Sequence, residues 1–259
     1  MIAIHMKQFF TRRSAAFLLA SLFFAASVIL PGLLADRWLT NSNGTGSQPA
    51  VDSSDEGLVF VLDAGHGGED GGAIAADGTE EKKLNLAVAN TLGALLRLNG
   101  QTVVLTRSTD TLLYDYYKDR EDYTGYKKMY DLRNRLRIAE QEENSVYVGL
   151  HMNKFSDPRY SGLQVYYAKT EGSATLAGKI QTGVKSTVQP DNNRQIKAAT
   201  SGIYILNEIR IPAVLVECGF LSNPEECAAL STEEYRRQLS AAIFYALCTY
   251  ETNEQNAYQ

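Results

Sequence analysis

From Leu58 onward, apolar and polar positions alternate in blocks of two kinds. Short unbroken apolar runs read as buried strands, and runs with apolar residues every three to four positions read as amphipathic helices. The pattern predicts strands at 58–62, 102–106, 146–150, 162–167, 203–206 and 213–216. Between them it predicts a helix opening at Thr79 and Glu80-Glu81, with Thr79 as its cap. Leu84, Val88, Leu92, Leu95 and Leu96 form its stripe, and Gly100 ends it. A second helix is expected from Asp131, as cap, to Glu143, with Leu132, Leu136 and Ala139 inward. A third spans 173–188, and a fourth runs from Thr232 to Tyr250. Strand and helix alternating in this way predict an α/β fold: three layers, with a mostly parallel twisted sheet flanked by helices. No internal repeat or second core is visible, so 58–250 reads as a single catalytic domain, followed by a short tail, 251–259.

Two stretches break the pattern. Residues 107–130 show no period and carry Tyr114, Tyr116, Tyr117, Tyr123, Tyr126 and Tyr130 among many charges. They read as a long loop or short irregular helices, whose tyrosines either stack on sugar rings beside a cleft or pack beneath the loop. At the other end, Lys7, Arg12 and Arg13 precede an uncharged apolar run from Ala15 to Ala35, long enough to span a bilayer as a helix. Basic residues on its N-terminal side predict that the remainder is exported to the outer face of the membrane. Residues 1–35 therefore read as a cleaved signal peptide or an uncleaved signal-anchor. The anchor is favoured because the run exceeds a usual signal h-region and no clear small-x-small site follows it. Residues 36–57, rich in Ser, Asn, Gly and Asp, read as a flexible linker.

Composition narrows the function. With 44% apolar and 21% charged residues the chain is of globular type, and a net charge of −5 argues against a nucleic-acid surface. Of three cysteines, Cys248 falls in an apolar helical pattern, and Cys218, although beside Glu217, reads as a packing residue rather than a nucleophile.

Candidate chemistry collects at predicted strand ends. Of the three histidines, His5 precedes the apolar N-terminal run. His66 lies in the glycine-rich turn Ala64-Gly65-His66-Gly67-Gly68 after the first strand, and His151 ends the 146–150 strand. Open α/β sheets place ligands at such strand ends. Glu217 ends the last strand in apolar company that should raise its pKa, which suits a general acid/base. Glu80 and Glu81 supply further carboxylates, though stabilising a helix dipole would explain them equally. Two imidazoles, one ligating carboxylate and one spare carboxylate are what a zinc hydrolase needs.

The blocks Leu62-Asp63-Ala64-Gly65-His66-Gly67-Gly68, Glu80-Glu81-Lys82-Lys83-Leu84-Asn85-Leu86, Gly149-Leu150-His151-Met152-Asn153 and Pro212 to Asn223 stand in fixed order. In these the chain resembles the zinc-dependent N-acetylmuramoyl-L-alanine amidases of the amidase 3 family, from about Leu58 to Tyr250. The resemblance implies one zinc ion held by His66, Glu81 and His151, with Glu217 catalytic. It implies hydrolysis of the amide between the lactyl group of N-acetylmuramic acid and L-alanine in peptidoglycan. The short interval from His151 to Glu217 leaves no room for an inhibitory helical insertion, as in the membrane-anchored amidases of spore cortex maturation. In that subgroup a partner protein is expected to assist zinc loading. Met152, where the family has a small residue, is expected to narrow the cleft, and Asn153 with the Gly67 and Gly68 amides is expected to bind the oxyanion or the sugar. Two other readings use the same residues: a zinc peptidase acting on the stem peptide, with Arg194 or Lys197 holding a carboxylate, and a non-catalytic wall-binding module with Glu217 as a fourth ligand.

Overall fold

The computed structural model describes residues 57–257, Glu143 excepted, with side chains as far as Tyr250. The expected signal-anchor and nearly all of the linker lie outside the described residues. Among those described, no helix is long and apolar enough to cross a membrane.

Six strands form one sheet. They are β1 (Val59–Ala64), β2 (Thr102–Leu105), β3 (Ser145–Asn153), β4 (Gln164–Tyr167), β5 (Lys197–Ala198) and β6 (Ala213–Phe220), in the order β2-β1-β3-β6-β4-β5. β2, β1, β3 and β6 run parallel, β4 is antiparallel to β6, and β5 is parallel to β4. The helices are α1 (Glu81–Leu98), α2 (Lys127–Ala139), α3 (Ser173–Thr187), α4 (Tyr204–Glu208), α5 (Pro224–Ser231) and α6 (Glu233–Ala257). This is the mostly parallel, helix-flanked sheet the pattern predicts.

Strand alternation assigns the two faces. Phe60, Leu62, Val146, Val148, Leu150, Val214 and Val216 join the stripes of α1, α3 and α6 in the larger core. Val61, Tyr147 and Ala213 face the smaller core, with Ala139 of α2 and Ile205 and Leu206 of α4. Met152 belongs to the larger core at 3% exposure, so it packs inward beneath the strand end rather than narrowing a cleft.

Several elements differ from the sequence reading. Residues 203–206 form no strand: Tyr204 to Leu206 open helix α4, with Ile203 at its cap position. So short an apolar run has no period to decide, and burial of Ile205, Leu206 and Ile209 selects the helix. α1 begins at Glu81, with Glu80 rather than Thr79 at the cap position and no side-chain cap. α2 begins at Lys127, so Asp131 lies within it, its carboxylate taken up by Arg135 and by the Leu113 amide at 2.8 and 2.7 Å. α5 was not anticipated; Asn223 caps it by accepting from the Glu226 amide at 3.0 Å, and Pro224 opens it. α6 continues through the expected tail to Ala257. In the 107–130 stretch, Tyr123 is buried and packs edge-on against Tyr114 and Tyr130, while Tyr116 and Tyr126 are exposed.

Beneath the C-terminal end of β1 lies a buried polar network. Asp63 accepts from Arg135 and Thr106 at 2.5 Å each and from the Tyr147 hydroxyl at 2.6 Å. Burial opposes the ionised carboxylate, but Arg135 with the Thr106 and Tyr147 bonds outweighs it and holds the pKa low. Arg135→Met would leave Asp63 and Asp131 without their cation. A loss of about 3–5 kcal/mol in unfolding free energy is expected in urea denaturation. Arg210→Ala, which removes an exposed pair with Glu140, should leave the midpoint unchanged.

Candidate metal centre and active site

The loop after β1 carries His66 in the left-handed region, at φ 63°. That conformation costs a non-glycine residue on the order of 1 kcal/mol, so its surroundings must impose it. They do so through carbonyls. Arg135 donates to Ala64 O and His66 O at 2.8 and 2.7 Å, and Arg107 to Ala64 O and Gly65 O at 2.8 and 3.0 Å. Lys82 donates to Gly68 O at 2.6 Å and pairs with Asp110 at 2.9 Å. Gly65 must lack a side chain, since a Cβ there would lie 2.1 Å from the His151 ring.

His66, Glu81 and His151, distant in sequence, converge. One ligating atom from each lies within 4.8 Å of the others. Glu81 Oε1 lies 3.2 Å from His66 Nε2 and 2.9 Å from His151 Nδ1, and also accepts from the Met152 amide at 3.1 Å. Its other oxygen accepts from the Ala73 amide at 2.7 Å. Burial opposes its charge, but the two histidines hold its pKa far below the usual carboxylate range. Burial likewise opposes charge on His66, and Glu81 with Asp70 outweighs it, raising that pKa. Two rings turned toward one carboxylate oxygen are an arrangement that a cation among the three would satisfy. Two imidazoles and a carboxylate suit a divalent transition metal. Glu80 points elsewhere, pairing with Lys83 at 2.6 Å.

Asp70 completes the arrangement. Its Oδ2 lies 2.9 Å from His66 Nδ1, and its Oδ1 accepts from the Gly72 amide at 3.0 Å. A carboxylate on the outer nitrogen fixes the tautomer and leaves Nε2 facing Glu81. The sequence reading missed this residue, although its place four residues after His66 in the same glycine-rich loop was a usable signal.

Glu217 of β6 pairs in register with His151 of β3. It is not among the three mutually close donors, which disfavours a closed four-ligand site. Its Oε2 is buried with no hydrogen-bond partner. Burial raises its pKa; the His151 and His66 charges oppose this and that of Glu81 adds to it, leaving it at about 7. Cys218 is fully buried, and burial pushes its thiol up, away from nucleophilic use. No disulfide links the three cysteines. The Gly67 and Gly68 amides are already engaged, with Asp70 O at 3.0 Å and Asp110 at 2.7 Å, so they do not serve as an oxyanion hole.

The fold and site together define an α/β domain with a mostly parallel sheet, three converging metal-type donors and a further carboxylate, Glu217, with one oxygen unpartnered. The chain belongs to the amidase 3 family, whose N-acetylmuramoyl-L-alanine amidase model matches residues 60–249. It is 32% identical over 201 residues, 76% of this chain and 81% of the relative, to the germination-specific N-acetylmuramoyl-L-alanine amidase of Bacillus subtilis. It is 28% identical over 258 residues, 83% of each chain, to the amidase AmiA of Escherichia coli. Among solved structures it resembles the CwlD amidase of Clostridioides difficile, in complex with the GerS lipoprotein, at a TM-score of 0.68 and 38% identity. That match covers 74% of this chain and 97% of the other. The enzyme is thus a peptidoglycan N-acetylmuramoyl-L-alanine amidase.

Two outcomes follow from the geometry. Asp70→Asn should weaken metal affinity by about 10- to 100-fold, read by competition with a chromophoric chelator. In metal-free protein, folded Glu217 keeps its proton to about pH 7, whereas an unfolded glutamate releases it near 4.5. The folded state therefore loses stability as pH rises across that window. With chelator present, Glu217→Gln should be more stable than the parent above pH 8, by roughly 3 kcal/mol, and equal to it below pH 4.

Proposed function

We propose that the chain is a zinc-dependent amidase acting in spore-cortex maturation, on the pathway to muramic-δ-lactam, with His66, Glu81 and His151 as zinc ligands and Glu217 as the catalytic acid/base. The observation that carries the reading is the buried, unpartnered Oε2 of Glu217 beside three metal-type donors. When bound, zinc supplies Lewis acidity toward the attacking water and the lactyl carbonyl.

The protein's own part is positioning and proton transfer. Asp70 holds His66 in the tautomer that presents Nε2. Glu217 accepts a proton from the water as its oxygen bonds to the lactyl carbonyl carbon. It returns that proton to the alanine nitrogen as the carbon–nitrogen bond breaks. The products are a lactyl carboxylate on the sugar and a stem peptide with a free L-alanine amine. A pKa of about 7 lets one group act as base and then acid near neutral pH.

The cortex assignment is supported by likeness to the germination-specific amidase and to CwlD. With it we propose export to the outer face of the membrane, anchored by residues 1–35 through the 36–57 linker. CwlD is in complex with a lipoprotein, and we propose that this chain too works with a membrane-tethered partner that assists zinc loading.

The test is mass spectrometry of peptidoglycan digested by zinc-loaded full-length protein beside Glu217→Gln. Free stem peptides beginning with L-alanine are expected from the parent. The variant should release them at least 100-fold more slowly while keeping its zinc. Shortened peptides still attached to the sugar would replace the amidase reading with the peptidase.

A further inference from the structure

Past the end of β3 the chain presents two aromatic rings to solvent. Phe155 is 50% exposed and Tyr160 44% exposed, with ring centroids 4.7 Å apart and planes tilted by 60°. Neither ring is loosely held. The Phe155 amide donates to Ser222 Oγ at 3.1 Å, and Asn223 donates to Pro158 O at 3.0 Å. Phe220, the last residue of β6, backs Tyr160 at 6.1 Å. The Arg194 guanidinium lies 4.4 Å from the Phe220 ring centre and 5.4 Å from that of Tyr160, with its Nε bonded to Ser161 O at 2.7 Å. A step of large apolar rings is thus fixed in an exposed position by polar bonds to its backbone, where burial would have been the ordinary outcome.

Its place relates it to the chemistry. Asn153 pairs with Phe220 across β3 and β6, the strands that carry His151 and Glu217. Full extension of the chain from His151 puts Phe155 within roughly 14 Å of it, Cα to Cα. On the far side, Tyr160 and Arg194 form part of the wall of a cavity of about 800 Å³. Asp157, Asn193, Asn223 and Glu225 also line that cavity, and none of the four central residues does. An aromatic face beside planar amide, carboxylate and guanidinium groups matches a pyranose ring, which has an apolar C–H face and a rim of hydroxyl and acetamido groups.

We propose that Phe155 and Tyr160, with the cavity beside them, form a subsite for N-acetylated pyranose rings of the glycan strand, flanking the amide to be cleaved. The identity of the sugar rests on the amidase reading. The subsite binds the strand and sets a preference for polymer over single muramoyl peptides. Arg194 is thereby a stacking support for the platform rather than a carboxylate anchor.

Binding tests this without turnover. A peptide-free tetrasaccharide of alternating N-acetylglucosamine and N-acetylmuramic acid is titrated calorimetrically into the full-length protein. A sugar-free stem tripeptide serves as the second probe. Phe155→Ala and Tyr160→Ala should each weaken tetrasaccharide binding at least fivefold, with peptide binding unchanged. Phe155→Tyr and Tyr160→Phe, which keep the rings, should bind as the parent does. A parent that does not bind the tetrasaccharide, or alanine variants that bind it equally well, would overturn the proposal. Loss confined to the tripeptide would replace it with a peptide subsite. Because no bond is cleaved, absent hydrolysis with intact glycan binding would count against the amidase reading alone.

Discussion

Asp63 shares its carboxylate among donors from three places in the fold: Thr106 after β2, Arg135 on α2 and Tyr147 on β3. A buried charge without such partners would be strongly destabilising, so these elements are tied to one arrangement. Arg135 then extends past Asp63 to the carbonyls of Ala64 and His66. The same guanidinium that neutralises Asp63 thus holds the loop that turns His66 toward the site. Arg107 repeats the device at Ala64 and Gly65. The imidazole is placed by bonds to its backbone, which leaves its ring nitrogens free for Asp70 and Glu81.

Around this frame the site divides its carboxylates by environment. Glu81 opens α1, where the helix dipole favours negative charge, and it is surrounded by two imidazoles and two backbone amides. It stays ionised and suits a ligand. Glu217 lies across the strand pair from His151 without a hydrogen bond to one of its oxygens. It holds its proton to near neutrality and suits proton transfer. Identical side chains take different roles because one is solvated by the protein and the other is merely desolvated.

Chain connectivity also explains how a glycan platform would work with this centre. β3 and β6 are hydrogen-bonded neighbours, and each continues directly from a central residue into the aromatic step: His151 toward Phe155, and Glu217 toward Phe220. Bonds from Phe155 to Ser222 and from Asn223 to Pro158 join the two extensions. Sugar recognition would share the rigidity of the sheet rather than depend on a mobile loop.

By itself the sequence determined the alternation of strand and helix, the glycine turn around His66, and His151 and Glu217 at the ends of apolar runs. Each is a local pattern, set by side-chain period and turn chemistry within a few residues. The family resemblance in four ordered blocks selected Glu81 over Glu80, a choice that local pattern left open. The tertiary structure decided what depends on partners remote in the chain. It made 204–206 the start of a helix rather than part of a strand, because burial against α2 and the sheet overrides a run too short to show a period. It turned Met152 into the core and drew Asp131 into an ion pair instead of a cap. It also gave Arg107 and Arg135 their role in holding the His66 loop, which no motif signals, because the loop groups they bind are backbone carbonyls that every residue carries and only folding brings within reach.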